Sequence, residues 1–124
     1  MKYAYSEEWT TIAKQISTQL GLNYVNLDRI SVIESQGSKT KRTIARIHTL
    51  GKVMQLGMEV DAFYTIELLR EKFYTQNREE QIKTIIHELL HIPASFGGGF
   101  RHHKLHVNIA TVEAQYIKIK HLYT

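Results

Sequence analysis

Five residues in the C-terminal half of the chain combine two metal-binding side chains with a carboxylate. The segment His87-Glu88-Leu89-Leu90-His91 has the pattern HExxH. On an α-helix, residues four apart lie on the same side one turn apart, so the two imidazoles can reach one divalent ion. Glu88 then lies beside the ion rather than on it, which is where a general base must stand to activate water. The pattern predicts a catalytic metal centre with Glu88 as the catalytic residue.

A catalytic zinc site needs a third protein ligand and an open position for water. The chain has no cysteine and seven histidines, so any ligand must be His, Asp or Glu. Metzincins place their third histidine six residues after the second, where this chain has Gly97, so that class of peptidase is excluded. The remaining downstream candidates are His102, His103, His106 and Glu113.

Three consecutive glycines, Gly97 to Gly99, follow Pro93 and precede these candidates. Glycine permits tight reversals of the backbone, and proline cannot continue the helix. We therefore expect the chain to turn back after the helix and to return a histidine to it.

The segment from His87 to Pro93, the glycine turn, Arg101-His102-His103-Lys104 and Val107-Asn108 together resemble the phage-type metallopeptidase family. This family comprises archaeal and viral proteins that are related in layout to SprT-like minimal zinc peptidases. The resemblance extends back to the strand at Phe63 and covers about the C-terminal half of the chain. It implies a zincin-like fold, peptidase activity with Zn²⁺ as cofactor, and His103 as the third ligand beside His87 and His91.

The adjacent histidines His102 and His103 leave open which of the two is the third ligand. The spacing of SprT-like enzymes would instead make His102 the third ligand, although the phage-type pattern favours His103. Glu113 is a further alternative, either as a ligand or as a hydrogen-bond acceptor for a ligand imidazole.

The implied reaction is hydrolysis of a peptide or protein substrate. Zinc would polarise the scissile carbonyl and lower the pKa of a water, and Glu88 would pass the proton of that water to the leaving amine. Arg101, His102 or His106 are candidates for stabilising the oxyanion. We expect the strand Ala62 to Leu69 to border the cleft and to bind an extended peptide by strand addition, with Tyr64 either contacting substrate or packing in the core.

The elements that must position these residues indicate an α+β fold with a three- to four-stranded mixed sheet. The predicted elements are an N-terminal helix capped by Ser6, strands at 29–35 and 43–49, a short helix near Val53 to Leu56, the strand Ala62 to Leu69, a central helix from Asn77 to about His91, and a C-terminal helix capped by Asn108. The polar segment 36–42 is interpreted as a hairpin loop between the first two strands. In the last helix, Ile109, Val112, Tyr116 and Ile119 are expected to share a buried face.

Composition limits the other possibilities. A chain of 124 residues with a net charge of +4 is expected to form one domain. It has no apolar stretch of membrane-spanning length and opens on polar residues, so we expect a cytoplasmic protein. The basic segment Lys39, Lys41 and Arg42 is either a solvated loop or a site of weak DNA association.

Two alternative functions compete with the peptidase. One is a metal-binding module without activity that binds nucleic acid or protein, and the other is a different zinc hydrolase, such as a metal-dependent ribonuclease. Glu88 argues against both, because a structural zinc site closes with four protein ligands and has no use for a carboxylate beside the metal.

Overall fold

A computed structural model describes residues 1–123. These residues form four strands and five α-helices, in the order β1 (Lys2–Tyr5), α1 (Glu7–Gln19), β2 (Ile30–Gln36), β3 (Ala45–Thr49), α2 (Lys52–Met58), β4 (Tyr64–Leu69), α3 (Arg70–Phe73), α4 (Arg78–Leu90) and α5 (Ile109–Ile119). Short 3₁₀ turns lie at Leu27–Arg29 and Lys120–Leu122. The predicted α+β class is confirmed. None of the helices in this part of the chain is both long enough and apolar enough to cross a membrane.

The strands form one mixed sheet in the order β1-β2-β4-β3. β2 pairs with β4 in parallel, and β4 pairs with β3 antiparallel. The predicted hairpin between β2 and β3 is therefore wrong, because β4 lies between them. Residues 37–44 are long enough to cross one strand, which is less than 5 Å wide, and all residues of β4 except Thr65 are buried, as a central strand requires.

Both edges of the sheet differ from its centre. β3 alternates between half-buried and exposed residues, as expected of an edge strand. β1, on the opposite edge, was not predicted as a strand, since all four of its residues are exposed and give no apolar pattern. Its pairing with Ile33–Gln36 of β2 is what defines it.

The core lies between one face of the sheet and the helices α1 and α4. α1 contacts β2, and α4 contacts β3, α1 and α5. Ile30, Val32, Tyr64, Ile66 and Leu68 of the sheet share one core with the apolar faces of these helices. The core fixes α4 against the edge strand β3, which places the predicted catalytic segment at an open side of the sheet.

The helix predictions are confirmed in type, with one correction in α5. Ser6, Asn77 and Asn108 each cap a helix by accepting a backbone N–H bond, as predicted. Val112, Tyr116 and Ile119 are buried, but Ile109 is 85% exposed. Ile109 is the first residue of α5, and a cavity rather than the core lies in front of it.

Candidate metal centre

The last turn of α4 carries His87 and Glu88, and His91 is the C-cap of the same helix. A capping box between Asn77 and Glu80 fixes the start of the helix, while its Ile and Leu residues are buried against the sheet. The apolar face therefore sets the rotation of the helix, and the two histidines lie on its flank.

The segment after α4 turns back onto the helix. The backbone N–H of Arg101 donates to the carbonyl oxygen of His91 at 2.7 Å. This contact returns the following residues to the end of the helix, where the centroid of the His103 ring lies 4.5 Å from that of His91 and 5.4 Å from that of His87. The glycine turn thus brings a histidine back to the helix, as expected.

Three imidazoles converge at this point. One ring nitrogen from each of His87, His91 and His103 lies within 4.8 Å of the other two. His102 is exposed and does not belong to this cluster, which is the one such group among residues 1–123. The convergence of three nitrogen donors on one point fits a divalent metal ion such as zinc.

The protonation states of the helical histidines suit metal binding, which requires neutral imidazole. Burial, together with the charges of His91 and His103, lowers the pKa of His87 to about 4. Burial also lowers the pKa of His91. Both side chains are therefore neutral at pH 7 and keep a lone pair for a metal.

A backbone carbonyl fixes the orientation of His91. Its Nδ1 lies 2.8 Å from the carbonyl oxygen of Arg101. A carbonyl can only accept, so Nδ1 carries the proton and Nε2 is left free as the donor atom. Such a partner holds a ligand imidazole in place and selects its tautomer. This role of Arg101 could not be predicted from the sequence, because a main-chain acceptor leaves no signal in residue type.

Glu88 stands beside the cluster as a buried acid. It is 6% exposed, and its Oε2 lies 3.8 Å from Nε2 of His87. Burial raises the pKa of Glu88 to about 7. A carboxyl group poised near neutral pH in a cavity can both accept and return a proton.

The loop that carries His103 is held by residues distant in sequence. Gly98 has φ +104°, and a Cβ atom there would lie 2.6 Å from Nε2 of Gln55 and 2.9 Å from the carbonyl oxygen of Leu50. The side-chain amide of Gln55 donates to the carbonyls of Leu50 and Gly97. Only glycine fits this backbone conformation and this close approach.

Tyr64 of β4 supports the same loop. Its hydroxyl donates to the carbonyl oxygen of Gly99 at 2.7 Å and accepts from the backbone N–H of Gly98 at 2.9 Å. Its ring, 1% exposed, packs against Phe96 and Phe100. The structure thus places Tyr64 in the core, with its hydroxyl used by the loop and not directed to a substrate. The role of Gln55 in holding the loop was not predicted from the sequence, because it depends on the packing of α2.

Two cavities meet at the histidine cluster. The larger, of about 1030 Å³, and the smaller, of about 360 Å³, are both lined by Ala45, His87, Glu88 and His103. The strand that borders both is β3, an edge strand. The expectation that the strand Ala62 to Leu69 binds peptide by strand addition is wrong, because β4 already has a neighbour on each side.

The other predicted site residues lie in different places. Arg101 and His102 line the smaller cavity, whereas His106 is exposed and lines neither cavity. Glu113 lines the larger cavity, but its carboxylate is paired with Lys83 and not with an imidazole. Arg42 of the basic segment also lines the larger cavity, and so stands beside the candidate site and not at a hairpin tip.

Comparison with known proteins identifies one family. The family model described as "Putative phage metallopeptidase" matches residues 1–118. This match is wider than the resemblance at the sequence level, which reached back only to Phe63. No curated protein and no solved structure matches the chain.

Proposed function

Because the chain belongs to the phage metallopeptidase family, we propose that it is a zinc-dependent peptidase in which Glu88 activates water. The family match and the histidine cluster indicate a metal-dependent peptidase. The proposal adds the identity of the metal, the ligands and the catalytic base. The observation that carries it is the convergence of His87, His91 and His103 beside the buried carboxyl group of Glu88, which lines the smaller cavity with all three histidines.

In this proposal His87, His91 and His103 hold the ion. When bound by three imidazoles, zinc acts as a Lewis acid on a carbonyl and lowers the pKa of a water molecule. The chain contributes neutral imidazoles and, through the carbonyl of Arg101, a fixed orientation of His91.

Glu88 moves the proton. Its carboxylate takes a proton from the attacking water and releases it to the leaving amine, and the burial that raises its pKa favours both steps near neutral pH. Because Glu88 lines both cavities, a peptide bond that crosses the cluster lies within its reach.

β3 supplies the substrate backbone with a partner. As an edge strand it has one side free of sheet hydrogen bonds, and its residues Ala45 to Ile47 line the cavities at the cluster. An extended peptide added there makes main-chain hydrogen bonds that are independent of its sequence. Arg101 and His102 line the smaller cavity, and in this proposal they are the candidate donors to negative charge on the scissile carbonyl.

The test is the Glu88→Gln substitution, assayed for casein cleavage and for bound metal. We expect zinc to be retained and cleavage to fall by at least about 100-fold, because the amide cannot accept the proton. Glu113→Gln is the matched control, since Glu113 lines the larger cavity but is paired with Lys83. It should change cleavage little. Equal cleavage by Glu88→Gln and wild type would overturn the proposed mechanism.

A further inference from the structure

The two halves of the cleft are unequal in size and in lining. The larger cavity, of about 1030 Å³, has almost three times the volume of the smaller one, of about 360 Å³. A peptide whose scissile bond lies at Glu88 extends into both. The larger cavity therefore offers far more surface for contact with substrate side chains.

The lining of the larger cavity is mainly apolar. Its apolar residues come from the entry to β3, from the segment before α5 and from the first turn of α5, and they are Ile44, Ala45, Val107, Ile109, Ala110 and Val112. Apolar residues that line a cavity beside a candidate active site are typical of a ligand-binding groove.

Ile109 is the clearest sign that this surface is made for contact. Its side chain is 85% exposed, although it begins a helix whose Val112 and Tyr116 are buried. A single exposed isoleucine is common. Here, however, Ile109 shares one cavity with Ile44 and Val107, and that cavity opens directly onto His87.

The lysine that lines this cavity is already paired with carboxylates. Lys83 pairs with Glu79 and with Glu113, and its ammonium also lies 4.9 Å from the centre of the Tyr116 ring. Lys83 is thus unsuited to select an acidic substrate side chain near the cluster. Apolar contact with Ile44 and Ile109 offers a basis for selection that does not depend on Lys83.

We propose that the larger cavity is the specificity site of the enzyme, and that it accepts an apolar substrate side chain next to the scissile bond. Ile109 is a specificity-determining residue in this scheme, with Ile44 and Val112 completing the apolar wall. This inference rests on the proposed peptidase function, because the scissile bond is placed at Glu88 and the histidine cluster.

The test compares two exposed isoleucines of α5. Ile109 lines the cavity, whereas Ile117, 69% exposed, does not. The probe is a short peptide that contains one leucine among alanine, glycine and serine, together with its counterpart in which alanine replaces the leucine. We expect zinc-loaded wild-type protein to cleave the leucine peptide beside the leucine, at least about tenfold faster than the alanine peptide.

Ile109→Ser should remove most of this preference, and Ile117→Ser should leave it intact. A second pair of variants tests the volume of the cavity. Ala110→Trp, on the cavity wall, should exclude the leucine side chain, while Ala114→Trp, on an exposed part of the same helix outside the cavity, should not. All four positions are on the surface or line the cavity mouth, so the variants are expected to fold.

Binding of the same two peptides to zinc-loaded Glu88→Gln protein separates this inference from the proposed function. Preferential binding of the leucine peptide that Ile109→Ser abolishes would support the specificity site, even if wild type cleaved nothing and the peptidase proposal failed. Cleavage without a leucine preference, or equal effects of Ile109→Ser and Ile117→Ser, would overturn the specificity site and leave the peptidase intact. If the protein neither bound nor cleaved the two peptides, both the specificity site and the peptidase proposal would be overturned.

Discussion

The two parts of the candidate metal centre reach their positions by different means. His87 and His91 are placed by α4, whose geometry follows from spacing, capping and an apolar face within one segment. His103 is placed by a loop that depends on contacts with Tyr64 of β4 and Gln55 of α2. One part of the site is set by local structure, and the other is set by tertiary packing.

This difference has a consequence for robustness. The helical histidines share one element whose apolar face is buried from Ile82 to Leu90, so we expect a lost contact at its exposed first turn to cost stability without moving them. The position of His103 relies on a few hydrogen bonds around Gly98, so we expect the loss of one such contact to displace His103 from the cluster. A substitution in the loop should therefore weaken metal binding more than a substitution in α4 that costs the same free energy of unfolding.

The largest effect is expected from Gly98→Ala. The new Cβ atom would meet Gln55 and Leu50 in a backbone conformation that alanine rarely adopts. We expect a loss of about 3 kcal/mol in the free energy of unfolding and a 10- to 100-fold weaker affinity for zinc. Urea unfolding and zinc titration measure the two quantities.

Gly99→Ala is the matched control for this prediction. A Cβ atom at Gly99 meets nothing within 4 Å, and its φ lies outside the left-handed region. The control should bind zinc nearly as wild type does. If Gly98→Ala also bound zinc normally, the loop would not be held as described.

The next largest effect concerns β3, the side of the cleft opposite α4. Arg46 and His48 of β3 donate hydrogen bonds to Glu67 of β4, at 3.0 and 2.7 Å. Burial alone would raise the pKa of Glu67, but these hydrogen bonds outweigh it and lower the pKa to about 2. We expect Glu67→Gln to cost about 2 kcal/mol in the free energy of unfolding at pH 7.

The pH dependence of this cost has a defined sign. The pKa of Glu67 is lower in the folded protein than its ordinary value of 4.5, so the unfolded chain binds the proton more readily. The stabilisation is complete above about pH 5 and is lost as the pH falls from 4.5 towards 2. Urea unfolding of wild type and Glu67→Gln should therefore differ at pH 7 and converge at low pH. A constant difference would exclude the ion pairs as its cause.

The smallest effects come from a matched pair that compares loop and helix directly. Tyr64→Phe removes the acceptor of the Gly98 N–H, and Asn77→Ala removes the N-cap of α4. Each should cost about 1 kcal/mol in the free energy of unfolding. Only Tyr64→Phe should weaken zinc affinity, by about tenfold. Equal zinc affinities of the two variants would contradict the distinction between the two parts of the site.

The difference between local structure and tertiary packing also explains which parts of the site could be predicted from the sequence. α4, its capping box and the two histidines four residues apart are local features, and all are visible in the printed sequence. The glycine run predicts a turn, but only the fold shows that Gly98 rests against Gln55. The family resemblance favours His103 over His102, but residue spacing alone does not choose between them, because neighbouring loop residues have no fixed period.

The other features that were predicted wrongly or not predicted also depend on non-local structure. Adjacent strands in sequence suggest a hairpin, yet the more completely buried β4 takes the place between β2 and β3. The exposed strand β1 gives no apolar signal and is defined by its partner. Ile109 has the right spacing for the core, but the helix begins at that residue, where the core has already ended.

Zinc affinity of His103→Ala compared with His102→Ala tests the central claim most directly. The two residues are neighbours and both are exposed, but only His103 belongs to the cluster with His87 and His91. We predict that His103→Ala loses zinc at concentrations that saturate wild type, and that His102→Ala keeps one zinc per chain. Retention by His103→Ala together with loss by His102→Ala would contradict the assignment of the site.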